Sequence, residues 1–232
     1  MTSQWVSVNS KDGGRFDTYL SLPPSGKGPG LVLFEEIFGV NKHIRAVADQ
    51  YAQNGFVVMA PDMFWRQEPR MELGYEGADR DKAVAAMKGA DPAKLLEDIG
   101  STIKALRSRP ECSGKIAALG FCMGGRLAYQ AAWTGEVDAA VCLYGGGIHG
   151  ELDRAAKITV PMQFHYGEKD AGIPMEAVEK VKAAFAGKKQ AEFFIYPDAL
   201  HGFNCWDRSS YQAKAAALSH GRALQFLAQN LY

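Results

Sequence analysis

Short runs rich in β-branched and aromatic residues recur along this 232-residue chain, separated by longer stretches. LVLFEE, FVVMAPD, KIAALGF, AAVCLYG, PMQFHYG and AEFFIYP each have the length of one buried strand. Strands covered on both faces read as near-continuous apolar runs, and parallel neighbours need a long crossover between them. The alternation therefore predicts an α/β fold, with a mainly parallel central sheet and helices on both faces.

The remaining segments fit that frame. QWVSVNS and RFDTYLSLP, joined by KDGG, predict an opening hairpin. Residues 42–54 predict a helix with Ile44, Val47, Ala48 and Tyr51 on one face, stopped by Gly55. Residues 63–79 are an irregular, charged connection of binding-loop length. Further helices are expected over 79–89, 92–107, GRLAYQAAW, 175–186 and 210–230. No repeat and no linker divides the chain, so one domain over 1–232 is expected.

Composition narrows the function. With 26 basic and 26 acidic side chains the net charge is zero, which argues against nucleic acid or an anionic membrane as a partner. No apolar run approaches the ~20 residues of a bilayer span, and the amino terminus lacks a signal-peptide layout. Cys112, Cys122, Cys142 and Cys205 lack the paired spacing of a zinc or redox site, so no metal is expected and the thiols are expected reduced. The chain reads as a cytoplasmic protein.

KIAALGFCMGGRLAYQAAW reads as strand, tight turn and helix. A nucleophile elbow needs that context, with small residues around one strained side chain. Gly120 and Gly124 fit the flanking positions, which puts Cys122 in the nucleophile place. The Met123 amide then lies at a helix amino terminus, ready to donate to an oxyanion, and the same place favours a thiolate. A small cysteine merely packing helix on strand is the alternative reading.

An activated nucleophile needs a base, and the base an orienting partner. In α/β-hydrolase sheets these follow in the order acid, then histidine, each after a later strand. PMQFHYGEKDAGIP supplies Asp170 and FFIYPDALHGF supplies His201, with Glu168 and Asp198 as rival orienters. His165 is expected in the core, His43 and His220 on helix surfaces, and His149 in a glycine-rich loop. Phe38, Trp65, Tyr144, Phe203 and Trp206 are candidate pocket aromatics.

With EEIFGVN at 35–41, APDMFWRQ at 60–67, GFCMGG, GEKD and HGF, nearly the whole chain resembles the dienelactone hydrolases (carboxymethylenebutenolidases). The resemblance implies hydrolysis of the enol-lactone ring of dienelactones, formed in catabolism of chlorinated aromatics, to maleylacetate, without metal or organic cofactor. It implies a triad of Cys122, Asp170 and His201, and oxyanion donors at the Ile37 and Met123 amides. Glu36 matches the glutamate that contacts the resting thiol, although a salt bridge to Arg45 or Arg126 is its ordinary reading. Arg80 matches the first of two substrate-carboxylate arginines. The second should stand four residues after the histidine, where this chain has Cys205, with Arg208 one turn further on.

Three functions follow. The first is a cysteine-dependent lactone hydrolase, a monomer or weak homo-oligomer acting on a small-molecule lactone or ester. The second is a general carboxylesterase or thioesterase of the same fold. The third is a non-catalytic ligand-binding or thiol-sensing protein.

Overall fold

The computed structural model describes residues 2–232. The chain forms two compact units, one running to Ile116 and the other from Ala117.

In the first unit, β1 (Thr2–Asn9) and β2 (Arg15–Leu22) form the expected hairpin, closing with Asn9 opposite Arg15. Gly13 turns the chain at φ +88°, and Asp12 accepts the Gly14 amide at 3.2 Å. These are the tasks that Asp and Gly perform in tight turns. β3 (Gly28–Phe34) is buried throughout and runs parallel to β4 (Val57–Pro61), which pairs antiparallel with β2.

The crossover between β3 and β4 is α1 (Lys42–Gln53), capped by Asn41, whose side chain accepts the Ile44 amide. Its buried stripe is wider than the expected face and includes His43 and Ala52. His43, 1% exposed, therefore belongs to the interior and not to the helix surface. Residues 43, 47 and 51 stand four apart, so the ring shares the side of Val47 and Tyr51.

Helix α2 (Gly77–Gly89) starts two residues earlier than expected and buries only Ala83. Helix α3 (Pro92–Arg107) begins on an Asp91 cap with proline in its first turn. Its buried Asp98 accepts the Trp65 indole N–H at 2.9 Å, the Ser10 hydroxyl at 2.8 Å and the Arg66 guanidinium. Trp65 also stacks on Phe16, with Arg66 4.2 Å above its ring. Trp65, expected among the pocket aromatics, is thus a packing anchor that ties the irregular connection to the hairpin and α3.

β5 (Cys112–Phe121) passes from the first unit into the second. It starts three residues before KIAALGF, so Cys112 is a strand residue where a loop was expected. β6 (Ala139–Leu143), β7 (Met162–Gly167) and β8 (Ala191–Tyr196) follow it in sequence order, every neighbouring pair parallel. The connecting helices are α4 (Met123–Thr134) and α5 (Met175–Ala184), and the closing helix α6 (Ala213–Leu231) starts three residues later than expected. Between β6 and β7 lie two short 3-10 turns, Ile148–Gly150 and Leu152–Lys157.

The second core is aromatic. Phe164 stacks on Phe193 and meets Phe185 edge-on. Burying each such ring stabilises the fold by about 1.5–3 kcal/mol. His165 is in the core as expected, bonded to Tyr196 and to the Gln163 amide oxygen, each at 2.8 Å. Burial pushes its pKa down to about 3, so it is neutral. Because the strands are parallel, the turns after β5, β7 and β8 all open at one edge of the sheet, where α/β sheets bind ligands. Cys122, Asp170 and His201 stand in those turns.

Candidate active site

Cys122 caps α4 at φ +56°, ψ −117°. A non-glycine residue rarely adopts such a conformation, and it is the strained turn that an elbow requires. The glycines around it are obligatory. A Cβ on Gly120 would stand 2.0 Å from the Gly124 carbonyl oxygen, and one on Gly125 would stand 2.8 Å from that of Leu143. Strand and helix therefore approach more closely than side chains allow. Cys122 offers no side-chain acceptor to the helix. The Met123 amide has no acceptor among the described residues, as the first turn of a helix permits.

His201 Nδ1 lies 2.7 Å from Asp170 Oδ2. Asp170 is buried, and its Oδ1 accepts the amides of Gly172 at 2.8 Å and Ile173 at 3.1 Å, which holds the carboxylate still. A hydrogen bond to the Cys122 side chain acts on the same imidazole. Burial alone lowers the His201 pKa, but the bonds to Asp170 and Cys122 outweigh it and raise the value to about 10. The ring is thus held as an imidazolium between two groups able to carry negative charge. Of the rival orienters, Glu168 accepts the Asp198 amide at 3.2 Å.

Tyr144 packs edge-on against His201 with ring centres 5.1 Å apart, and Phe203 meets Tyr144 from another side at the same distance. Both are fully buried, whereas Trp206 is exposed. Tyr144 itself has φ +37°, a second strained residue at this edge. Cys205 is wholly buried, and its amide donates to the Gly202 carbonyl. The Arg208 amide donates in turn to the Cys205 carbonyl at 3.2 Å. In such three-residue turns side chains three apart eclipse. Arg208 returns along that face until its guanidinium lies on Gly202.

In the first unit, Glu36, Ile37 and Phe38 leave the end of β3 in a fully buried stretch that turns at Gly39, φ +80°. Glu36 is 1% exposed. Phe38 packs edge-on against Tyr75 at 4.6 Å. Arg45 spends its guanidinium on Glu72 and the Val40 carbonyl, all at 2.8 Å. Arg80 stands exposed on α2.

Glu35 is completely buried. One oxygen accepts the Met63 amide at 2.8 Å, and the other has no hydrogen-bond partner among the described residues. Burial, with Asp62 nearby, pushes its pKa well above the carboxylate range. Burial raises Asp62 to about 6 even though it accepts the Phe64 and Arg70 amides.

A parallel sheet with a strained turn after one strand and an acid and a histidine after later strands defines an α/β-hydrolase. The model of the dienelactone hydrolase family matches residues 16–231, and the chain belongs to that family. It is 32% identical to the carboxymethylenebutenolidase of Pseudomonas sp. strain P51, over 98% of this chain and 95% of that protein. Carboxymethylenebutenolidase 1 of Cupriavidus pinatubonensis is 31% identical over 98% and 97%. The crystal structure of the "Putative Dienelactone Hydrolase from Klebsiella pneumoniae" superposes with a TM-score of 0.87 at 29% identity, covering 98% of each chain. The protein is a hydrolase of α/β-hydrolase fold, and no helix among the described residues is long and apolar enough to cross a membrane.

Proposed function

We propose that the protein hydrolyses enol lactones such as dienelactone through an acyl-enzyme on Cys122. The observation that carries this reading is the imidazole of His201, bonded through Nδ1 to Asp170 and raised in pKa both by that bond and by a cysteine in a strained helix-capping turn.

The chemistry follows from that arrangement. With His201 protonated at neutral pH, Cys122 attacks the lactone carbonyl as a thiolate and the carbonyl oxygen becomes an oxyanion. The Met123 amide receives it, together with the Ile37 amide assigned by the EEIFGVN match. Loss of one such donor costs about 2.7–4 kcal/mol in known cases. Collapse of the adduct breaks the ring C–O bond and leaves a thioester, and His201 gives its proton to the departing enolate oxygen. Neutral His201 then takes a proton from water as it attacks the thioester, the C–S bond breaks to return the Cys122 thiolate beside the imidazolium, and the released acid ionises in solvent as the carboxylate product. Glu36 is assigned control of thiol ionisation on the same sequence match. Arg80 and Arg208 are assigned the substrate carboxylate, and Tyr144, Phe38, Phe203 and Trp206 the apolar part of the substrate.

Cys122→Ala tests the reading. It should abolish turnover of a dienelactone and of aryl esters while the protein stays folded, and brief alkylation should label Cys122 ahead of Cys112 and Cys142. Undiminished turnover by the variant would sink the proposal.

A second reading, a general carboxylesterase or thioesterase, is favoured by Cys205. A small, wholly buried thiol occupies the place where the family resemblance expects a cationic anchor. A substrate panel separates the two: the lactonase prefers carboxylated lactones, the esterase neutral aryl esters or thioesters.

A further inference from the structure

The acid and the base stand on two loops that are stitched together. The Glu168 amide donates to the Tyr196 carbonyl at 3.0 Å, and the Lys169 amide donates to that of Ala199 at 2.9 Å. Gly167 makes the approach possible, since a Cβ there would stand 2.4 Å from the Ala199 carbonyl oxygen. One side-chain bond completes the seam: the Asp198 amide donates to Glu168 Oε2 at 3.2 Å.

Asp198 has φ +59°, in the left-handed region, three residues before His201. Aspartate enters that region at less cost than most residues bearing a Cβ, and a partner for its amide fixes it there. Its amide has one acceptor among the described residues, the Glu168 carboxylate. Glu168 and Asp170 are two residues apart on one loop, and Asp198 and His201 are three apart on the other. The two cross-loop side-chain bonds therefore act in series, one setting the turn and the other setting the ring that the turn carries.

We propose that Glu168 is a positioning residue for His201, acting through the backbone amide of Asp198. The proposal rests on the assignment of His201 as the base. Glu168 touches neither substrate nor thiol. Its carboxylate holds the strained turn so that the imidazole meets Asp170 and Cys122 together.

The test uses Glu168→Ala, Glu168→Gln, and Glu168→Ala combined with Asp198→Gly. Aryl-ester kinetics and the pH dependence of Cys122 alkylation are read on each. Glu168→Ala should lower kcat roughly three- to tenfold, the scale of one net hydrogen bond, with KM changed less than about twofold. Its alkylation profile should move toward higher pH, because less imidazolium faces the sulfur as the His201–Asp170 bond loosens. Glu168→Gln keeps an acceptor oxygen and should behave as the parent. Asp198→Gly removes the strain and should restore much of the Glu168→Ala loss.

Parental kcat and profile in Glu168→Ala would overturn the proposal. So would activity lost only in step with thermal stability, with the profile unmoved. A Cys122→Ala control keeps the two readings apart: turnover surviving that change removes the triad itself, whatever the Glu168 variants do.

Discussion

The guanidinium of Arg208 lies face-on against Gly202, the residue that follows His201. A methyl group at 202 would stand 2.6 Å from Nη1, 2.7 Å from Cζ and 2.8 Å from Nε. Gly202 also has φ +79°, so it meets two demands at once: a left-handed turn after the histidine and a bare surface for the arginine.

Substrate charge should therefore be read at this point. Arg208→Gln is expected to raise KM for a carboxylated lactone about tenfold, the scale of a lost charge-assisted hydrogen bond, and to leave a neutral aryl ester within about twofold. Arg80→Ala should discriminate in the same sense. Gly202→Ala should reproduce the Arg208→Gln selectivity and lower the melting temperature as well, because it displaces the guanidinium and strains the backbone. Steady-state kinetics on the two substrate types decide. Equal effects on both would remove these arginines from carboxylate recognition.

His201 supplies a second prediction. Its folded-state pKa lies near 10, above the ordinary 6.5. A raised basic group contributes stability that is fully present below the unfolded value and is lost as pH rises through the folded one. Thermal stability should decline between about pH 6.5 and 10. Asp170→Asn removes one of the bonds that raise the folded-state pKa, so the decline should still begin near pH 6.5 but end at lower pH and be smaller. The same variant should slow alkylation of Cys122 near neutral pH, since less imidazolium faces the sulfur. Melting curves and alkylation rates across that range check both.

The buried acids of the first unit act in the same direction, although burial and not a partner raises them. Asp62 holds its proton to about pH 6 when folded, against 3.8 ordinarily, and Glu35 holds its proton to higher pH still. The folded state binds more protons than the unfolded one over that range, so stability falls as pH rises through it. Glu35→Gln keeps the oxygen that accepts the Met63 amide and replaces the one that has no hydrogen-bond partner. Its stability should stay within about 1 kcal/mol of the parent at pH 5. The gap should widen in the variant's favour by pH 9, where the parent must ionise a carboxyl beside Asp62. Parallel melting-temperature curves would show that Glu35 does not titrate in that range.

Much of the fold was legible because parallel strands announce themselves as apolar runs, and the turns after them are where chemistry sits. GFCMGG was readable for the same reason: glycines were needed where helix and strand meet. The sequence left Asp170, Glu168 and Asp198 open as orienters, since nothing local says which carboxylate turns toward the histidine. Backbone bonds between loops some thirty residues apart decide that. His43 and Trp65 were misplaced on similar grounds. A histidine on a helix and an aromatic in a loop look like surface and pocket until distant residues, Phe16 and Asp98 in the case of Trp65, supply their partners.

The elbow itself gives the last prediction. Cys122 sits at φ +56°, ψ −117°, where a side chain bearing a Cβ pays a steric penalty of order 1–3 kcal/mol that glycine largely escapes. Replacing Cys122 by alanine keeps the penalty, and replacing it by glycine removes it. In an ordinary helix-flanking position glycine is the less stable of the two by a few tenths to about 1 kcal/mol, because its unfolded chain is freer. Here the order should reverse. Cys122→Gly should melt above Cys122→Ala by roughly 2–4 °C, the shift expected for about 1 kcal/mol in a chain of this size. Both variants should be inactive, and circular dichroism should show the parental fold in each. Equal melting temperatures, or alanine above glycine, would mean that the turn is not strained and that the protein stores nothing there to hold the thiol out.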